Sequence, residues 1–179
     1  MFKDMSADSY LVACGIAADW PYGRGCYVSA DRGFIVWVGE EDHLRIMCMK
    51  KGTKLNDIFD RLKVASDKME SMCEFAHSKS FGYITSCPTN LGTGMRASLH
   101  IQLPKLAENG DVECVKAKAI AKPLGLSVRG TGGEHTPVEN HTVDISPSNR
   151  YCISEAQIIT ALYVGIKNLK SANDKLPNK

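Results

Sequence analysis

Arg45, Arg96 and Arg129 each stand in a short run that alternates between apolar and polar residues. Across 43–48, Leu44, Ile46 and Cys48 oppose His43, Arg45 and Met47. Across 96–103, Ala97, Leu99, Ile101 and Leu103 oppose Arg96, Ser98, His100 and Gln102, and across 126–130 Arg129 lies opposite Leu126 and Val128. A period of two is strand geometry with one buried face, so the three guanidiniums belong on polar faces and can converge on one sheet surface. A guanidinium is permanently charged and presents a planar fork of donors suited to phosphate oxygens, which makes such a cluster a candidate polyphosphate clamp. The plainer reading, three charges on solvated strand faces, explains the same spacing.

Other residues are chemically capable but weaker as signals. The Glu40-Glu41-Asp42 run can place a carboxylate beside that surface to hold a cation or orient a nucleophile, although acidic hairpin tips are commonly just solvated. Thr131-Gly-Gly-Glu134-His135 joins a glycine pair to two titratable groups, as a loop closing over a substrate requires; a surface turn has the same composition. Cys87 precedes Pro88 at a strand end, where a thiolate can be exposed and activated by arginines, whereas the other six cysteines read as small hydrophobes. Gly92-Thr-Gly94 gives backbone room for a phosphate but lacks the Walker spacing, so this is not a P-loop.

The elements that must position these groups follow from periodicity. Strands are expected at 34–38 and 44–49, joined as a hairpin, and at 81–86, 96–103, 126–130 and 142–145. Leu55, Ile58, Phe59, Leu62, Ala65, Met69 and Met72 recur at steps of three and four, predicting a helix over 55–72 whose stripe faces the core. A second helix is expected over 112–121, ended by Pro123 and Gly125, and a third begins at the cap Ser154 with Ile158, Ile159, Leu162, Ile166 and Leu169 inward. This pattern reads as α+β, an antiparallel sheet flanked by helices, with 171–179 as a frayed tail.

Composition narrows the class. The 179 residues suit one compact core, and 44% hydrophobic with 23% charged residues excludes a disordered chain. No apolar run approaches the roughly 20 residues of a membrane span. Against 22 Lys+Arg stand 20 Asp+Glu, a net +2 that points to no nucleic-acid partner from bulk charge. The seven cysteines contain no C-x-x-C pair, and the N-terminus reads without a secretory signal, so free thiols in a reducing cytoplasm are expected and no metal ligands are assigned.

The run Cys87-Pro-Thr-Asn-Leu-Gly-Thr-Gly-Met-Arg-Ala-Ser-Leu-His100 closely resembles the signature of the ATP:guanido phosphotransferases, the phosphagen kinases. Asp19-Trp-Pro-Tyr-Gly-Arg-Gly25, Val36-Trp-Val-Gly-Glu-Glu-Asp-His-Leu-Arg45 and Val128-Arg-Gly-Thr-Gly-Gly-Glu-His-Thr136 agree in order and spacing, so the resemblance runs from about Asp8 to Leu169. It implies the family's glutamine synthetase-like catalytic fold, here its C-terminal part over 5–170. The family's N-terminal helical domain and its S-x-R-x-R strand do not occur in these residues.

The resemblance implies transfer of the γ-phosphoryl of MgATP to a small guanidino substrate such as arginine. It would place ATP against Arg45, the stretch Arg96, Ala97, Ser98, Leu99 and His100, the stretch Arg129, Gly130, Thr131, Gly132, Gly133 and Glu134, and Asp144. Glu41, Glu134 and Cys87 would grip the guanidinium and act in catalysis. Two other readings are a non-catalytic nucleotide-binding module of the same descent and a kinase acting on protein arginines; Glu134-His135 fits the small-molecule branch better. Gly132, where arginine kinases commonly carry Arg, leans toward creatine kinases. Pro147-Ser148 looks inserted, and Arg150-Tyr-Cys-Ile153 replaces a basic stretch.

Overall fold

β-Branched and aromatic residues at 34–38, a tight glycine-containing turn and a second apolar run give the hairpin that the sequence predicts. In the computed structural model, which describes residues 9–52, 54–132 and 136–177, β1 (Gly25–Val28), β2 (Phe34–Val38) and β3 (Leu44–Cys48) form an antiparallel sheet in that order. Gly39 makes the β2–β3 turn at φ +73°. A short helix, α1 (Ser9–Ala13), precedes them, and α2 (Leu55–Glu70) packs on β3.

The chain divides into two compact units rather than the single core expected from its length: one comprises 1–76 with 85–88, the other 77–84 with 89–179. The first unit is thinly packed. No residue of α2 is fully buried, and Phe59 and Met72 are exposed, so the apolar stripe taken as core is only half covered. Polar links supplement it. Arg61 of α2 reaches the β1–β2 turn with Nη1 donating to Asp31 Oδ2 at 2.7 Å and Nη2 to Oδ1 at 3.1 Å. Its guanidinium also lies 5.6 Å over the Phe34 ring, and it holds the Asp31 carboxyl well below the usual range.

Arg24 organises the Asp19-Trp-Pro-Tyr-Gly-Arg-Gly25 segment from within. Its Nη2 donates to the Ile16 carbonyl at 2.8 Å and to Asp19 Oδ1 at 3.2 Å, and the guanidinium lies 5.6 Å over Trp20. That motif therefore fixes backbone before β1.

The second unit carries a denser core. β6 (Leu99–Gln102), β7 (Leu126–Gly130) and β8 (Thr142–Pro147) form an antiparallel sheet in the order β6–β8–β7. α3 (Val115–Ala121) and α4 (Glu155–Lys175) cover its apolar face, enclosing Leu103, Val128, Val143, Ile145, Leu162 and Leu169. The expected strand at 81–86 is reduced to β5 (Gly82–Tyr83), paired with β4 (His77–Ser78). Residues 96–98 lie outside β6, although the predicted alternation holds from Leu99 to Gln102.

α4 starts as the sequence indicates. Ser154 Oγ accepts the Gln157 N–H at 3.3 Å and Gln157 Oε1 accepts the Ser154 N–H at 2.7 Å, a reciprocal cap. Its end differs: the helix continues to Lys175, past the residue where a frayed tail was expected. The reason is Asn173, buried and accepting the Lys105 N–H at 3.0 Å through Oδ1. At Gly165 the helix approaches β7 so closely that a Cβ would lie 2.1 Å from Leu126 Cδ1.

Among the described residues no helix is long and apolar enough to cross a membrane, and the seven cysteines are free thiols. Leu162 is fully buried between α4 and the sheet. Leu162→Ala is expected to lower the unfolding free energy by about 2–5 kcal/mol, measured by urea denaturation, because the close-packed core refills such a cavity only in part.

Candidate functional site

In the second unit the polar face of the sheet is built around one carboxylate. Val143 and Ile145 point into the core, so Asp144, between them on β8, must face the other way. The register sets His100 of β6 directly opposite Asp144 on one side and Arg129 of β7 directly opposite on the other. Arg96, three residues ahead of β6, reaches the same place.

The contacts are close. Arg129 Nε donates to Asp144 Oδ2 at 3.0 Å, and Arg96 Nη2 donates to the same oxygen and to Ser146 Oγ at 3.3 Å. Arg96 Nη1 lies 3.4 Å from Ser98 Oγ. His100 Nε2 stands 3.8 Å from Asp144 Oδ1, beyond hydrogen-bond reach but close enough to add an attraction when the ring is protonated. Asp144 is only 4% exposed, while the Arg96 and Arg129 side chains are each about one quarter exposed, at 25% and 28%.

Such burial raises the Asp144 pKa by itself. The Arg96 charge and hydrogen bond, joined by hydrogen bonds from Arg129 and Ser98, outweigh it and hold the carboxyl below its ordinary value. The benefit is mutual. At an effective dielectric of ~20, two unit positive charges roughly 6 Å apart repel by about 3 kcal/mol, and a carboxylate between them more than offsets that.

The first unit holds the remaining described candidates. Arg45 faces Trp37 across the β2–β3 pair, with its guanidinium 5.3 Å from the ring centroid and Nη1 3.6 Å from Glu40 Oε1. Asp42, beside Glu41 in the hairpin turn, accepts the Ser86 N–H at 2.6 Å through Oδ1, and Thr85 Oγ1 donates to the Cys87 carbonyl at 2.7 Å. The turn carrying Glu41 is thereby stitched to the turn carrying Cys87, and both residues are half-buried.

Several expectations change. The three arginines do not share one sheet: Arg45 stands on β3 of the first, whereas Arg129 stands on β7 of the second and Arg96 just before its β6. Ala97 packs against the core, so its side chain does not face a ligand. Gly92 is occupied with packing rather than leaving room for a phosphate: at φ +104°, a Cβ there would sit 2.4 Å from the Arg150 carbonyl oxygen. Arg150 in turn donates through Nη1 to the Thr89 carbonyl at 3.1 Å and to Asn90 Oδ1, so the departing stretch after Asp144 braces the Cys-Pro-Thr-Asn loop.

Gly130 has a related role, since a Cβ there would fall 2.3 Å from the Thr136 carbonyl oxygen where the loop returns beside β7. Thr131 and Gly132 form the turn leaving that strand, and Gly133 and Glu134 lie outside the described residues. Sequence reasoning passed over Ser146, and named Asp42 only as one of the hairpin carboxylates, without its partner Ser86. Ser146 was legible from the alternation Thr142, Asp144, Ser146 against Val143 and Ile145; the long-range bond from Ser86 to Asp42 leaves no local signature. Among the described residues no group of three His, Cys, Asp or Glu is placed to hold a metal.

The antiparallel sheets carry flanking helices and, on one polar face, two arginines paired on a carboxylate, and comparison gives the family. Residues 3–176 match the ATP:guanido phosphotransferase C-terminal catalytic domain. The chain is 45% identical over 166 residues to the arginine kinase of Limulus polyphemus, covering 93% of this chain and 45% of that one. The duplicated taurocyamine kinase of Schistosoma mansoni with bound transition state analog components aligns at TM-score 0.80 and 38% identity, over 88% of this chain and 22% of that chain. Lombricine kinase aligns at TM-score 0.80 and 34% identity, over 92% and 45%. The chain belongs to the ATP:guanido phosphotransferase family, in the region of its C-terminal catalytic domain, and spans about half the length of the arginine kinases it matches.

The lowered Asp144 pKa sets a pH dependence. Its stabilisation is complete above the unfolded value near 3.8 and is lost as pH falls through the lower folded value. The difference in urea stability between the unaltered protein and Asp144→Asn is therefore expected to hold constant from neutrality down to about pH 3.8 and to shrink below it; a difference unchanged below that pH would contradict the assignment.

Proposed function

We propose that this chain carries the nucleotide-binding side of an ATP-dependent guanidino kinase, which transfers the γ-phosphoryl of MgATP reversibly to a guanidino nitrogen. The observation supporting it most is the pair Arg96 and Arg129 on one buried carboxylate, two permanent cations on a polar face. In this reading they receive the phosphate chain, with Arg45 as a further phosphate ligand and Ser98, His100, Thr131 and Gly132 along the nucleotide. Mg²⁺ arrives on the nucleotide as part of the substrate.

Phosphoryl transfer asks little covalent chemistry of the protein; positioning and neutralisation of the γ-phosphoryl charge supply most of the rate. Arginines do the second task here. Glu41 and Cys87, on turns joined through the Asp42–Ser86 bond, would face the guanidinium. Glu41, with Glu134, orients the reacting nitrogen and accepts its proton. Delivery of Glu134 by a glycine loop would delay assembly until substrate is bound, which limits transfer to water. Arginine is the proposed substrate, by similarity to the arginine kinases, and the cytoplasm the proposed location.

The same cluster of two arginines on one carboxylate serves a second reading equally, a nucleotide-binding module without turnover. Mixing the chain with MgATP and arginine while following ADP release and nucleotide binding separately discriminates the two. Binding without release, restored to turnover by adding the N-terminal half of an arginine kinase, supports retained site residues; absence of binding overturns both readings.

Two substitutions sharpen the assignment. Arg96→Ala is expected to weaken MgATP binding about tenfold or more, since a charge-assisted hydrogen bond contributes about 1.5–3 kcal/mol. Glu134→Gln is expected to lower guanidine-dependent turnover while nucleotide affinity changes less than about twofold, the separation expected where the side-chain carboxylate acts on the guanidine and the nucleotide meets the stretch through its backbone.

A further inference from the structure

Asp144 was expected to line the nucleotide site, yet an acidic group is an unlikely neighbour for a triphosphate unless its charge is spent elsewhere. It is. One oxygen, Oδ2, binds both Arg96 Nη2 and Arg129 Nε, and the residue is almost wholly buried at 4% exposure. The two arginines approach from the segments that flank the central strand β8, and both meet Asp144 of that strand. Each has a long side chain with several rotatable bonds, whose freedom must be surrendered to bind a phosphate at a fixed place.

We propose that Asp144 is a positioning residue that holds the Arg96 and Arg129 guanidiniums side by side before a nucleotide arrives, so that the phosphate chain meets a preformed clamp. The proposal rests on the reading that these two arginines bind the phosphates. Two guanidinium charges and one carboxylate leave the cluster with a single net positive charge, so the carboxylate lowers repulsion without cancelling the attraction for a polyanion. Arg129 meets Asp144 through Nε, a bond that does not use its two terminal nitrogens, and the side chain as a whole is about one quarter exposed, at 28%. Ser146 and Ser98 bracket Arg96 in the same way.

Simple electrostatics and positioning make opposite forecasts. Removing a negative charge beside an anion site tightens binding if the charge acts only through space; it weakens binding if the carboxylate orders the donors. The test uses the full chain, with inorganic tripolyphosphate and MgATP as probes in titration calorimetry and folding checked by circular dichroism. Asp144→Asn, nearly isosteric, is expected to weaken both probes about tenfold or more. Unchanged or tighter binding by a folded Asp144→Asn variant overturns the proposal.

The underlying reading is tested separately by the unaltered chain and Arg96→Ala. No tripolyphosphate binding by the former, or no loss in the latter, removes the phosphate clamp itself and the proposal with it. A second measurement needs no variant. In nitrogen-15 spectra the Arg129 Nε–H of the unaltered protein is expected to be protected from solvent exchange both alone and saturated with MgATP, as a persistent bond to Asp144 requires. Loss of that protection on saturation would make Asp144 a place-holder displaced by phosphate, and would overturn a positioning role.

Discussion

A single buried carboxylate with two arginines on one of its oxygens sets the form of the second unit's polar face. A carboxylate so far from water is tolerable only with cations beside it, and two guanidiniums so close are tolerable only with an anion between them. Each group therefore requires the others. β8 must be the central strand so that a flanking strand and the segment before the other can both reach Asp144, and its alternate residues Val143 and Ile145 must anchor in the core to aim it. The proposed binding of a polyanion would use an arrangement that folding has already had to satisfy.

The first unit is organised differently. Its apolar burial is slight, and its ordering comes from side chains that reach across turns: Arg24 to the Ile16 carbonyl and Asp19, Arg61 to Asp31, and Asp42 to the Ser86 amide. Exposed ion pairs contribute little stability each, so these links are better understood as fixing which turns meet than as holding the unit together. The one between Asp42 and Ser86 joins the two turns that carry Glu41 and Cys87, the residues proposed to face the guanidinium. A hydrogen bond of 2.6 Å to a carboxylate gives that junction a definite geometry.

What could be read from the residues tracks how local the cause is. The alternation around Leu99 to Gln102, the hairpin strands, the Ser154 cap and the breakers after α3 all rest on nearest neighbours, and the structure has them. The α2 stripe was legible as a helix but not as half-covered, since coverage depends on what lies opposite. Likewise Arg96 and Arg129 were recognisable as polar-face residues, whereas their common partner follows from strand order. Gly92 shows the limit most clearly. Its sequence context suggests room for a ligand, and only the distant Arg150 backbone reveals that the space is used for packing. The family signature supplied the candidate site residues, which neighbouring residues alone do not single out.

Comparative titration of the full chain with MgATP and with adenosine tests the phosphate-clamp account most directly. If Arg96 and Arg129 recognise phosphate, MgATP binds and adenosine binds at least about a hundredfold more weakly, a gap of roughly 2.7 kcal/mol. Equal affinities would place recognition on the nucleoside and contradict the account.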